Sequence, residues 1–366
     1  MKRLFFALLL VGLPQCSSGD VKGDAGSDGG GDGDAGGGCP HDCLGGACVA
    51  GACQAYALVT KLNGPINLAQ MSDRVFWTDY SLTDATRSDV GSVDKATGTF
   101  KVLAGYPLID APWGIAADDT NVYVVNASGP STILRCTPDQ CDQTSVFYDN
   151  ALQPTVVALA GSYAYWMEPF VDSISRMPKT GGTAEQVAQP NTSAANGQFA
   201  CIASDSTYIY WSEPDNDVIM RQAIGGQQPE TVFTLPTGSY PAALWLDSGV
   251  LYFTAGGTTV GSGFIGYGNP DGTGGPQMLA TKQRTPWTVV TDATYAYWTN
   301  EGDFDQNNNP LDDGSVMRCE KAGCTTPVVL ASNLADPHGI VVDDTAIYFA
   351  TTATSTGDGT IWRLAK

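Results

Sequence analysis

Few residues in this chain can perform acid–base or metal chemistry. The 366 residues include only two histidines, His41 and His338, and contain no G-x-S-x-G or H-E-x-x-H motif. A histidine titrates close to neutral pH, so a single one can serve as general acid or base, and His338 is the candidate for that role. His41 lies in a cysteine-rich segment, and this scarcity disfavours a zinc enzyme or a serine–histidine–aspartate triad.

A second set of potential ligands lies in one polar segment. Its side chains alternate along the chain as the oxygen ligands of calcium loops do: Asp303, Asp305, Asn307 and Asn309. The match is incomplete, because Asn308 stands where a calcium loop has glycine and Gly314 stands where it has glutamate. Calcium is the one cofactor that the sequence suggests, and a solvated polar loop is the alternative.

The net charge limits the classes of partner. There are 38 acidic and 18 basic residues, which give a formal charge of -20. Such a protein repels the phosphates of DNA, RNA and anionic lipids, so nucleic acid is not an expected partner. Only 15% of residues are charged, whereas glycine and aromatic residues are abundant, a composition typical of all-β proteins rich in turns.

The N-terminal region predicts export. Lys2 and Arg3 precede an apolar run from Leu4 to Leu13, which is long enough for a signal peptide and too short to span a bilayer. Residues 1–16 resemble a bacterial lipoprotein signal, and this resemblance implies lipidation of Cys16 and a location in the cell envelope; ordinary secretion is the alternative. Residues 17–38 are almost entirely glycine, aspartate and serine, so we expect a disordered linker.

The cysteines favour disulfides over metal in an exported protein. Four of them form a segment at residues 39–54, namely Cys39, Cys43, Cys48 and Cys53. They predict two disulfides, with three pairings open, and a four-cysteine zinc site is the alternative. Local disulfides are also expected in two turns that each begin after an arginine, between Cys136 and Cys141 and between Cys319 and Cys324.

The elements that must position these residues are seven sequence repeats. They start at Pro65, Pro112, Pro154, Phe199, Pro241, Pro286 and Pro337, with spacings of 42 to 51 residues. Each has an aliphatic residue three positions on and an aromatic residue eleven positions on. Repeats of this length, built from short strands, predict an all-β, seven-bladed β-propeller over residues 55–366. The last repeat lacks a fourth strand, and Tyr56 to Thr60 can supply it, closing the ring.

Two columns of the repeat supply candidate ligand-binding residues. The position after each repeat start holds Trp113, Trp287 and His338, and the position that closes each aromatic strand holds Asp79, Asn126, Glu168, Glu213 and Asn300. Around the mouth of the channel, such a ring would suit a cation, a sugar or a basic peptide. The alternative is structural, with the acidic residues bonding between blades and the tryptophans plugging the channel.

The repeats also resemble known propeller families. Phe76-Trp77-Thr78-Asp79 resembles the YWTD repeat of lipoprotein-receptor propellers, and the Pro-x-Gly-Ile starts at Pro112 and Pro337 resemble NHL-type propellers. The whole arrangement is similar to surface lipoproteins of myxobacteria, which implies a lipid-anchored propeller at the cell envelope, attached to the membrane only through its N terminus.

Two functions follow from these observations. The first is a monomeric, non-enzymatic propeller that binds a protein, peptide or glycan on its loop-rich face. The alternative is an exported lyase or lactonase that uses His338 with acidic residues at the central channel, such as Asp79, Glu168 or Glu213. Tight cation binding on the channel axis would favour the enzyme.

Overall fold

The structure is a computed structural model that describes residue 39 and residues 42–81, 85–128, 131–190, 201–226, 228–305, 310–352 and 357–366. Strands dominate these residues. The helices are short 3-10 turns at Ala85–Arg87, Gln143–Ser145, Pro169–Val171 and Pro214–Asn216. Within the described ranges, no helix has the length and apolar character needed to cross a bilayer.

Seven four-stranded antiparallel sheets form the blades of a β-propeller, as predicted. The first strands of the seven blades are Pro65–Gln70, Pro112–Ala117, Val156–Ala160, Ile202–Ser204, Pro241–Asp247, Pro286–Thr291 and Pro337–Val342. The second strands are Arg74–Asp79, Val122–Asn126, Tyr163–Glu168, Tyr208–Glu213, Val250–Ala255, Tyr295–Asn300 and Ala346–Thr351.

The third and outer strands complete each blade. The third strands are Asp89–Asp94, Thr132–Cys136, Ser173–Pro178, Val218–Ala223, Gly263–Gly268, Gly314–Glu320 and Gly359–Ala365. The outer strands are Phe100–Gly105, Val146–Tyr148, Glu185–Ala188, Glu230–Thr234, Gln277–Gln283, Val328–Leu334 and, for blade 7, Tyr56–Leu62.

The ring closes through the N-terminal strand. Tyr56–Leu62 pairs antiparallel with Gly359–Ala365, so the start and the end of the propeller sequence share one sheet. This confirms the predicted closure, and the strand extends two residues beyond Thr60. Because the first and last strands of the propeller both belong to blade 7, the closing sheet is complete and its third strand is not left as an unpaired edge.

The aromatic column forms the core between blades. In blade 1, Phe76 packs with Ile115 of blade 2, whereas the next residue, Trp77, packs with Tyr348 of blade 7. Successive side chains of a strand point to opposite faces, so each second strand contacts both neighbouring blades. This explains why every residue of such a strand after its first is buried and why the aromatic position is filled in all seven repeats.

Hydroxyl groups bond one blade to the next. Thr299 of blade 6 donates its Oγ1 hydrogen to the carbonyl oxygen of His338 in blade 7 at 2.7 Å, and Thr254 donates in the same way to Trp287 at 3.1 Å. Thr78 makes the equivalent bond to Trp113 at 2.9 Å. The threonine of the repeat therefore fixes the start of the innermost strand of the next blade.

The disulfides brace the N-terminal segment and two turns. Cys39 pairs with Cys48 and Cys43 with Cys53, which selects one of the three predicted connectivities. The turn disulfides Cys136–Cys141 and Cys319–Cys324 are present as predicted. The cysteine-rich segment, with its short strands Cys48–Val49 and Ala52–Cys53, lies against blade 7, where Arg363 donates to the carbonyl of Leu44.

Candidate functional site

One face of the propeller, called here the upper face, carries two kinds of loop. Within a blade the strands are antiparallel, so the loop before the first strand and the loop from the second to the third strand lie at the same end. The Thr299 to His338 bond places the corresponding ends of neighbouring blades together. All the candidate ligand-binding residues of the sequence lie at or beside this face.

The residues that close the aromatic strands are buried and bonded to loop backbone. Asp79 accepts hydrogen bonds from the amides of Asn63 and Gly64, at 2.9 and 2.5 Å. Glu168 accepts from the amide of Leu152 at 2.6 Å. These side chains hold the loops that lead into the first strands, because buried carboxylates require such donors. Their role as ligands stays a prediction.

The other members of that column behave similarly. Asn126 accepts from the amide of Asp110 at 2.7 Å and donates to the carbonyl of Leu108. Glu213 accepts from the indole of Trp211 at 2.9 Å, and Asn300 donates to Gln283 at 3.0 Å. All three are buried, so they present little surface to a ligand on the upper face.

Blade 1 contains a pair of facing carboxyl groups, one buried and one half-buried. Asp89 lies opposite Asp79 in the sheet, and its Oδ1 atom has no hydrogen-bond partner among the described residues. Burial, reinforced by the charge of Asp79, raises the pKa of Asp89 to about 7. Burial also raises the pKa of Asp79. At neutral pH Asp89 is therefore close to its titration point.

The two candidate tryptophans occupy different environments. Trp287 is 3% exposed and stacks on the His338 ring, with ring centroids 4.9 Å apart and an interplanar angle of 26°. Trp113 is half-buried and packs against Tyr80 at 5.4 Å. Of the two, Trp113 is the one that retains surface for a ligand.

His338 lies between two carboxylates. Its Nε2 atom is 3.1 Å from Oε1 of Glu301, which follows the second strand of blade 6. The same nitrogen is 3.0 Å from Oδ1 of Asp336, which precedes Pro337. Glu301 is 1% and His338 4% exposed, so the group forms a buried ionic cluster where blades 6 and 7 meet.

The electrostatics of this cluster favour a charged imidazole. Burial by itself would lower the pKa of His338, but the carboxylates of Asp336 and Glu301 outweigh it and raise the pKa to about 10. Burial raises the pKa of Glu301 to about 7. Burial acts in the same direction on Asp336, but the charge and hydrogen bond of His338 hold its pKa below the usual value. Near neutral pH, the imidazole of His338 is therefore protonated, and Glu301 is the group of the cluster closest to its titration point.

The sequence pointed to His338 but not to its partners. Asp79, Glu168 and Glu213 were the carboxylates proposed to act with it, and the structure places Glu301 and Asp336 beside it instead. Glu301 follows Asn300 directly, and Asp336 directly precedes a repeat start. The available signal was an acidic residue at each of these positions, adjacent to the two columns that the sequence did single out.

The predicted calcium segment is described only in part. Asp303 pairs with Arg284 at 3.2 Å, and its carbonyl accepts from the amide of Leu311 at 2.9 Å. Asp305 is described, whereas Asn307 and Asn309 lie outside the described residues. Calcium binding by this segment stays a prediction.

Exposed apolar side chains gather on the upper face. Among the described residues, seven large hydrophobic side chains at least 43% exposed lie in its loops: Tyr106, Leu152, Phe170, Val171, Tyr240, Val260 and Leu311. The other exposed ones lie on outer strands or in the cysteine-rich segment, and none lies in the described loops of the opposite face. An uneven distribution of exposed apolar side chains between the two faces is what an interaction face would show.

The same loops are strongly acidic. Their described residues include two basic side chains, Arg87 and Arg284, and twelve acidic ones: Asp110, Asp149, Asp172, Asp215, Asp217, Glu301, Asp303, Asp305, Asp312, Asp313, Asp336 and Asp358. Arg284 is already paired with Asp303 and Asp313. The upper face therefore combines apolar groups with a negative potential.

Comparison with known proteins supports the fold and goes no further. No protein-family model and no curated protein sequence matches the chain. Among solved structures, a streptogramin B lyase superposes with a TM-score of 0.64 at 17% identity, covering 86% of this chain and 97% of that one. Virginiamycin B lyase from Staphylococcus aureus gives 0.64 at 18%, covering 85% and 98%. A designed protein, Ika8, gives 0.52 at 13%, covering 84% and 98%. At these identities the likeness is one of fold, and the chain is a seven-bladed β-propeller similar in architecture to those lyases.

Proposed function

We propose that this chain is an exported, envelope-anchored binding protein whose upper face takes a cationic protein or peptide with apolar side chains. The observation that carries the proposal is the coincidence, on one face, of exposed apolar residues with twelve acidic and two basic side chains. Electrostatic attraction would speed encounter with a basic partner, and the apolar groups would supply contact area. The disulfides and the lipoprotein-type N terminus support an extracytoplasmic location.

Two local patches are suited to apolar anchors. In blade 3, Leu152 lies close to the turn that carries Phe170, because Glu168 accepts a hydrogen bond from the amide of Leu152 and directly precedes that turn. Asp172 lies at the end of that turn. At the start of blade 5, Tyr240 projects from a loop, and its own backbone amide donates a hydrogen bond to Oδ1 of Asp217 at 2.9 Å. Each patch thus places a carboxylate next to an exposed apolar side chain, the pattern that an alternating lysine and leucine sequence would match.

The test measures binding of a labelled peptide to the purified full chain by fluorescence anisotropy. The probe alternates lysine and leucine, and its control replaces every lysine with glutamate. The variant L152S/F170S removes one patch, and the matched control F100S/M278S removes two apolar side chains that are as exposed but lie on outer strands. We expect only the lysine peptide to bind. L152S/F170S should weaken this binding about 10-fold and added salt should weaken it too, whereas the control variant F100S/M278S should bind like the wild type. Equal binding of both peptides, or equal losses in both variants, would overturn the proposal.

A second function has a specific observation in its favour. His338 is held between two carboxylates at the meeting of two blades, and a histidine-to-alanine variant of virginiamycin B lyase, solved with quinupristin, is described as catalytically inactive. In an enzyme of lyase type, Glu301 would take up a proton and His338 would donate one. Conversion of quinupristin to a new product, followed by chromatography and lost in His338→Ala, would support this function. If quinupristin stays unchanged even at high enzyme concentration, the lyase function is refuted.

A further inference from the structure

Three ligand-bearing side chains converge where blades 6 and 7 meet. Glu301, Asp336 and His338 can each offer one atom such that all three atoms lie within 4.8 Å of one another. They come from the loop after the second strand of blade 6 and from both sides of Pro337 in blade 7. The geometry points to a binding site for one divalent transition-metal ion of the zinc or manganese type.

The spacing of the atoms fits a coordination shell. Metal bonds to imidazole nitrogen and carboxylate oxygen are about 2.0–2.2 Å long, so neighbouring ligand atoms at right angles stand about 3 Å apart. The Nε2 atom of His338 is 3.1 Å from Oε1 of Glu301 and 3.0 Å from Oδ1 of Asp336. A small cation can therefore replace the proton between these atoms without a large rearrangement.

The cluster has bonding capacity that the protein leaves unused. Among the described residues, Oε2 of Glu301 has no hydrogen-bond partner although the side chain is 1% exposed. Buried carboxylates are normally paired at both oxygens or coordinate a metal. Two carboxylates also face one imidazole, so the cluster is anionic whenever both carboxylates are ionised, even with the ring protonated. A divalent ion with a neutral imidazole would bring the charge to zero.

Neighbouring groups hold the three side chains in place. Thr352 donates to Oδ2 of Asp336 at 2.6 Å, which orients that carboxylate. Trp287 stacks on the imidazole, and Thr299 fixes the backbone of His338. Outer groups of this kind orient the ligands of metal sites.

The donor set selects the kind of metal. One imidazole nitrogen with two carboxylate oxygens suits zinc, manganese or iron, whereas calcium prefers six to eight oxygens. This site is distinct from the predicted calcium segment, because neither His338 nor Asp336 belongs to that segment.

The experiment titrates the chelator-treated full chain with Zn²⁺ or Mn²⁺ and measures stoichiometry by calorimetry. We expect one ion per chain, no displacement by equimolar Ca²⁺, and at least 100-fold weaker binding in Glu301→Gln and His338→Gln. Asp149→Asn, which removes an exposed carboxylate of the same face, should bind like the wild type. Binding by Glu301→Gln equal to that of the wild type, or absence of a stoichiometric ion in the wild type, would overturn the proposal.

A second measurement keeps the test decisive if these variants fail to fold. The chain has only two histidines, so a His41→Gln protein labelled with ¹⁵N at histidine gives the ring signals of His338 alone. One equivalent of Zn²⁺ should shift the Nε2 signal of this otherwise intact protein. Zinc bound elsewhere would leave that signal unchanged and would refute the assignment.

Discussion

The carboxyl pair in blade 1 makes the stability of the propeller depend on pH in a predictable direction. Asp89 is half-buried opposite Asp79, and burial together with that neighbouring charge raises the pKa of Asp89 from 3.8 to about 7. Between these pH values the folded protein keeps a proton that the unfolded chain has released. Stability contributed by this group is therefore present at low pH and falls as the pH rises towards 7.

The magnitude follows from the size of the shift. Each pKa unit corresponds to 1.36 kcal/mol, so a shift of about three units makes the folded state up to about 4 kcal/mol less stable at pH 8 than at pH 4 through Asp89. Asp89→Asn removes this titration. We expect the variant to gain stability over the wild type as the pH rises from 4 to 8, and to show little difference at pH 4.

The assay is urea unfolding followed by tryptophan fluorescence at pH 4, 5, 6, 7 and 8. Asp119→Asn, which removes an exposed carboxylate from a turn on the opposite face, is the control and should run parallel to the wild type. The informative quantity is the difference between variant and wild type, since it cancels the other titrating groups. If that difference stays constant across the pH range, the reasoning on Asp89 is refuted.

Three further predictions concern stability and are read from the same unfolding curves. Thr299→Val removes the bonds from Oγ1 to the His338 carbonyl and from the Thr288 amide, and should cost about 1–3 kcal/mol; an unchanged midpoint would contradict a linking role. The double variant C319S/C324S should cost about 2 kcal/mol, the value for so short a closed loop, whereas no loss would show that the turn is held by other contacts. Trp287→Ala should cost about 3–5 kcal/mol because the side chain is buried, and Trp113→Ala only about 1 kcal/mol. Equal losses would contradict the difference in their environments.

The sequence alone determined the architecture because every blade of a propeller repeats the same strands with the same pattern of buried residues. Each second strand is covered by both neighbouring blades, so its aromatic position must be filled in every repeat, and the number of repeats gives the number of blades. Closure by Tyr56–Leu62 was predictable for a related reason, since the last repeat lacked one strand and the segment before the first repeat had no blade of its own. The turn disulfides were visible as equal spacings at equivalent positions.

The candidate site depended on contacts that no repeat encodes. Glu301 and Asp336 are 35 positions apart and meet His338 only because the end of the second strand of blade 6 lies beside the start of blade 7. In the column that the sequence singled out, Asp79 and Glu168 accept hydrogen bonds from loop amides, which the repeat pattern did not indicate. The location of the exposed apolar residues on one face was likewise hidden, since those residues come from several loops spread along the chain. The periodic core follows from local sequence, whereas the site is formed by unique loop residues that only the closed ring brings together.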